Sequence, residues 1–71
     1  MTTTWTAQTV KQELPDVTVK LAGKTYEGWV RGRLNEWATV SVQVTPGEWV
    51  NGSFTWDALA SALNNGKALR F

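Results

Sequence analysis

The chain has 71 residues, a formal net charge of +1 from seven Lys/Arg against six Asp/Glu, neither cysteine nor histidine, and five tryptophans as its compositional outlier. Surface scaling lets a chain this short bury only about 60% of its unfolded surface, and without thiols or imidazoles no disulfide or Cys/His zinc site supplements that one small core. A hydrophobic content of 42% with 18% charged residues excludes a disordered tail, and the near-neutral balance excludes a basic arm or an acidic tail as the working principle.

No apolar run approaches the ~20 residues that cross a bilayer. Met1-Thr2-Thr3-Thr4-Trp5 lacks the basic start and apolar stretch of a secretory leader, so a cytosolic protein with no membrane partner is expected. The first element is a helix over Ala7–Leu14, with Ala7, Val10 and Leu14 on one face and Pro15 as its stop. Thr6 is its N-cap, and Trp5 with Val10 is placed to form a hydrophobic staple.

From Val17 the period changes to two. Val17, Val19 and Leu21 alternate with Thr18 and Lys20 as a half-buried strand that ends in a tight turn at Ala22-Gly23. A second strand is expected over Lys24–Arg33, with Tyr26, Gly28, Val30 and Gly32 on one face and Thr25, Glu27, Trp29, Arg31 and Arg33 on the other. Its two glycines suggest a bulge, a bend or the close approach of a helix. The clearest strand is Trp37–Val44, with Ala38, Val40, Val42 and Val44 pointing one way. Pro46-Gly47 then reverses the chain into a fourth strand, Trp49–Phe54, expected to kink at Gly52 because Asn51-Gly52 is itself a strong hairpin signal. Whether Trp49 faces the core or solvent is undecided by pattern.

The last helix, Trp56–Asn65, has Thr55 as N-cap, Asp57 in its first turn and Gly66 in the position of an αL cap. Trp56, Leu59, Ala60 and Leu63 form its apolar stripe, and Ala68–Phe71 is a tail able to pair as an edge strand. The fold class is therefore α+β: one domain over residues 1–71, a four-stranded antiparallel meander with both helices on one face.

Sorting the strands by parity collects Thr18, Lys20, Trp29, Arg31, Arg33, Trp37, Thr39, Ser41 and Gln43 on the uncovered face. Flat rings beside guanidinium groups suit single-stranded nucleic acid, because bases stack on indoles at roughly 1–3 kcal/mol each while phosphates follow positive charge. Trp29 and Trp37 would be the stacking platforms, Lys20, Arg31 and Arg33 the phosphate contacts, and Lys24 an extension of the basic edge. The same residues suit a protein partner, a second copy included, since tryptophan and arginine dominate interface hot spots. A plainer alternative is that the tryptophans merely cover the sheet with arginines laid across them, and that Glu27 neutralises Arg31.

Catalysis has no constellation to stand on. Histidine and cysteine are missing, Ser41, Ser53 and Ser61 sit in no nucleophile elbow, and Asp16, Glu27, Glu36, Glu48 and Asp57 show no metal-ligand spacing, so neither an enzyme nor a cofactor is expected.

The run Tyr26-Glu27-Gly28-Trp29-Val30, then Gly32-Arg33-Leu34-Asn35, Ala38-Thr39-Val40 and Leu63-Asn64-Asn65-Gly66, resembles small uncharacterised bacterial single-domain proteins of about this length. That resemblance implies a compact bacterial domain and transfers no functional residues. In element order alone the chain is also similar to cofactor-type single-stranded-DNA-binding domains and to SH3-like barrels. The expectation is a non-enzymatic binding module whose contact residues are Lys20, Lys24, Trp29, Arg31, Arg33 and Trp37.

Overall fold

A computed structural model describes residues 4–71; residues 1–3, which belong to the stretch expected to lack a leader, lie outside that range. The order is α1 (Ala7–Glu13), β1 (Val17–Leu21), β2 (Lys24–Arg31), β3 (Trp37–Thr45), β4 (Glu48–Thr55), α2 (Trp56–Asn65) and β5 (Leu69–Arg70). Among the described residues no helix is long and apolar enough to cross a membrane.

α1 starts on a reciprocal cap: Thr9 N–H donates to Thr6 Oγ1 at 3.2 Å, and Thr6 N–H donates to Thr9 Oγ1 at 2.8 Å. Two otherwise unpaired backbone donors are satisfied by this exchange. Leu14 closes the helix in the left-handed region (φ 48°), its N–H bonded to Val10 O at 2.8 Å, and so takes a place that usually falls to glycine. Thr55 caps α2 through Ala58 N–H, and Gly66 ends it at φ 63°, as expected. Asn64, near the end of α2, accepts from Trp5 N–H at 2.6 Å and donates to Trp5 O at 2.8 Å. That pair of bonds ties the segment before α1 to the second helix.

β1 to β4 form the expected antiparallel meander, but the sheet has five strands in the order β4-β3-β2-β1-β5. The correction is β5, which pairs parallel to β1 (Val19 with Leu69, Lys20 with Arg70) and makes the sheet mixed. Its cause is topological. The meander leaves β1 with a free edge, and the chain leaving α2 reaches that edge, where Leu69 is buried in the core. Phe71 N–H then donates to Lys20 O at 3.0 Å, and its ring lies 5.5 Å from that of Phe54 on β4. Residues from the two edge regions therefore meet, so the sheet is curled into a half-barrel.

Two further boundaries differ from expectation. β2 ends at Arg31, because Gly32 adopts φ +90° and breaks the alternation, so Arg33 is outside the strand. β4 stays paired without a register shift through Asn51-Gly52, Ser41 with Asn51 and Val40 with Gly52; the irregularity lies instead in β3 between Gln43 and Thr45. Gly52 serves the core, since a Cβ there would come 3.0 Å from the Phe71 ring and 3.2 Å from that of Phe54.

Val10, Val17, Val19, Val30, Ala38, Val40, Val42, Trp56, Leu59, Ala60 and Leu69 form one buried cluster between the helices and one sheet face. Leu21, Tyr26 and Val44, expected on this side, are half-buried. Gly28 sits within the cluster, and the close approach comes from valine side chains of the neighbouring strands rather than from a helix. Accessible surface is 4958 Å² and the extents are 34 × 27 × 15 Å. That surface exceeds the roughly 4,400 Å² typical of a compact chain of this mass, as a thin domain with one uncovered sheet face should.

Candidate functional site

β2, β3 and β4 build the uncovered face in register. Trp29 lies opposite Ser41, Ser41 opposite Asn51, and Gln43 opposite Trp49. Trp29 and Trp49, on the two strands flanking β3, lean over it until their rings stand 5.1 Å apart at 46°. They are 55% and 44% exposed, so the pair is a raised aromatic surface and not a buried contact. Between them Ser41 is only 1% exposed. Its Oγ accepts from Arg31 Nη2 at 2.6 Å and donates to Asn51 Oδ1 at 2.7 Å, so this polar floor is satisfied and fixes the guanidinium in place.

Pattern alone leaves the face of Trp49 open for a definite reason. A two-residue turn at Pro46-Gly47 pairs Thr45 with Glu48, and an unbroken ladder would next set Trp49 opposite Val44 on the core side. The register shift at Val44 sets it opposite Gln43 instead. One inserted residue exchanges the faces of everything beyond it.

The other expected contact residues are not gathered here. Arg33 is a correction: beyond Gly32 its side chain turns to α1 and donates from Nε to Lys11 O at 2.9 Å and from Nη2 to Gln12 O at 3.2 Å. Carbonyls in the last turn of a helix lack intrahelical donors and favour a cation, so the guanidinium has a structural role there. Trp37, 55% exposed at the start of β3, lines a separate groove of about 520 Å³ with Ala7, Lys11, Glu36, Trp56 and Asp57. In that groove Lys11 Nζ lies 5.6 Å from the centre of the Trp56 ring. Lys20 is exposed and paired with Thr25, and Lys24 sits at the β1–β2 turn opposite Leu21. Thr25 precedes Trp29 by four residues, or about 13 Å along a strand.

Glu27 lies beside Asp16, and a hydrogen bond shared with Asp16, then the like charge, then desolvation raise its carboxyl above the ordinary 4.5. Between 4.5 and that raised value the folded chain binds more protons than the unfolded one, so stability falls as pH rises through this window. Asp16→Asn is expected to flatten the dependence, and urea midpoints across the window at low salt check it. A slope unchanged in the variant would contradict the pairing.

The face is thus an aromatic pair with one anchored guanidinium on one side and acidic Glu27, with Asp16 beside it, on the other. Among the described residues no cluster of three His, Cys, Asp or Glu side chains is arranged to hold a metal ion. Comparison with protein-family models, with curated proteins and with solved structures finds no match to this chain.

Proposed function

We propose that this domain is a non-enzymatic, cytosolic binding module that docks a protein partner through Trp29 and Trp49. The observation that carries the reading is the solvent-exposed indole pair held over a satisfied polar floor. Rigid aromatic anchors that need little ordering on contact are what interface hot spots are made of. A tryptophan buries up to about 250 Å², so two half-exposed rings supply roughly 250 Å² of the ~800 Å² each partner gives to a standard interface. The pair is the centre of such a contact, with Gln43, Asn51, Ser53 and Arg31 as its rim.

Single-stranded nucleic acid is the second reading, favoured by Arg31 beside both indoles. Charge placement ranks it lower. Of Lys20, Lys24, Arg31 and Arg33, only Arg31 adjoins the rings, and the acidic pair on the other flank repels a phosphate backbone.

Peptides selected on the wild-type chain from a random library are expected to lose at least about tenfold in affinity with Trp29→Ala or Trp49→Ala, while Trp37→Ala leaves binding unchanged. Binding indifferent to Trp29 and Trp49 would overturn the reading. Tryptophan quenching by a short oligothymidylate at tens of micromolar, steeply weakened by salt, would replace it with the nucleic-acid one.

A further inference from the structure

We infer that the free edge of β4 is a self-pairing surface, to which a second copy of this chain adds its own β4, antiparallel, about a two-fold axis at Asn51. This concerns the strand edge rather than the sheet face, although Asn51 and Ser53 also belong to the rim of the proposed docking site.

β4 is the outer strand on its side of the sheet, and it is eight residues long. Edges that remain unpaired are blunted by shortness, by proline or lysine, or by a bulge in the edge strand itself. β5, the opposite edge, is two residues long and carries Arg70. β4 has little such protection: its one charge is Glu48 at its start, Trp49 to Thr55 contains no charge and no proline, and the register irregularity lies in its partner β3.

The occupant follows from the side chains that such pairing would bring together. Two copies of β4 keep their faces matched only when residues of the same parity oppose one another. Centred on residue 51, the pairing sets Trp49 against Ser53 and Val50 against Gly52, each twice by symmetry. In these two pairings a large side chain meets a small one, and Glu48 faces Phe54 rather than its own copy. Val50 of the second copy then arrives beside the Phe71 ring that already covers Gly52. At the axis Asn51 meets Asn51. Its Oδ1 accepts from Ser41, and among the described residues its amide N–H groups have no protein acceptor, so they are free to donate across the axis. The alternative centre at residue 52 opposes two glycines and sets Val50 against Phe54, which already packs on Phe71. Two copies joined at residue 51 form one ten-stranded sheet, with both Trp29–Trp49 pairs on the same face.

Sedimentation equilibrium of the full chain up to millimolar concentration is expected to show the weight-average mass rising from 7.9 kDa toward twice that value. Asn51→Lys, which sets like charges against each other at the axis, is expected to restore the monomer, whereas Trp29→Ala leaves the dimer intact. The chain has no cysteine, so single substitutions report the register. Paired Cα atoms stand about 4.5–5.5 Å apart, within the disulfide range, and Asn51→Cys is expected to form a covalent dimer under mild oxidation much faster than Ser53→Cys. A monomer throughout the concentration series would overturn the inference. So would a dimer indifferent to Asn51→Lys, or equal cross-linking at the two positions. Loss of peptide binding with the dimer intact would bear on the sheet face alone.

Discussion

Trp56→Ala is expected to destabilise the domain by about 3–5 kcal/mol, the usual cost of emptying a large aromatic site in a core. Trp56 is 4% exposed, and its indole N–H donates to Asn35 O at 2.9 Å in the loop between β2 and β3. It also lies under the Lys11 ammonium of α1. One side chain at the start of α2 therefore joins that helix to α1 and to the loop, and truncation removes both attachments along with its core packing. Stability near 0.05–0.15 kcal/mol per residue gives this chain roughly 4–11 kcal/mol in total, so the variant stands close to unfolding at ambient temperature. Trp56→Phe keeps most of the packing and loses the hydrogen bond, and is expected to cost far less. Urea unfolding followed by circular dichroism checks both; a midpoint for Trp56→Ala near that of the wild type would contradict the placement of this ring.

Gly28→Ala is expected to destabilise by about 1–2 kcal/mol, although alanine for glycine ordinarily helps a strand. The reason is steric. A Cβ at this position would meet Val40 Cγ1 at 2.8 Å, Val19 Cγ2 at 2.9 Å and Val17 Cγ2 at 3.1 Å. Valine is stiff at χ1, so three such neighbours yield poorly, and overpacking costs ~1–3 kcal/mol. Lost freedom of the unfolded chain returns only ~0.4–1 kcal/mol. In a domain of this size the net effect lowers the thermal midpoint by roughly 4–16 °C, at ~4–8 °C per kcal/mol. A midpoint at or above that of the wild type would show that the strands around Gly28 are farther apart than described.

What the sequence reveals of this fold depends on whether a signal is local. Both N-caps, the αL glycine after α2 and the alternation of β1, of β2 as far as Arg31 and of β3 as far as Gln43 are set by residues a few positions apart, and the structure has them where the pattern places them. β5 was legible only as a tail able to pair, since its partner β1 lies about fifty residues earlier and their parallel register depends on where α2 delivers the chain. Alternation carried through Gly32 places Arg33 on the face; a single positive φ ends that alternation and sends the side chain to α1. Trp37 kept its exposure but not its neighbours, because β3 runs past the end of β2 and its first residue belongs to the groove beside the helices. Trp49 entered the site through one extra residue in β3, which neither turn chemistry nor periodicity reports.

These shifts are the basis of the proposed ranking of ligands. The expected platform of Trp29 and Trp37 with three cations becomes Trp29 and Trp49 with one, and that cation is already bonded to Ser41. An aromatic pair without a phosphate track suits a protein surface better than a nucleic-acid strand.

The most direct measurement is nuclear magnetic resonance of the five tryptophan rings with a soluble paramagnetic agent in the solvent. The account requires strong broadening of Trp29, Trp37 and Trp49, protection of Trp56, and cross-relaxation between the rings of Trp29 and Trp49. Trp29 and Trp49 as protected as Trp56, or too far apart to show any cross-relaxation, would contradict it.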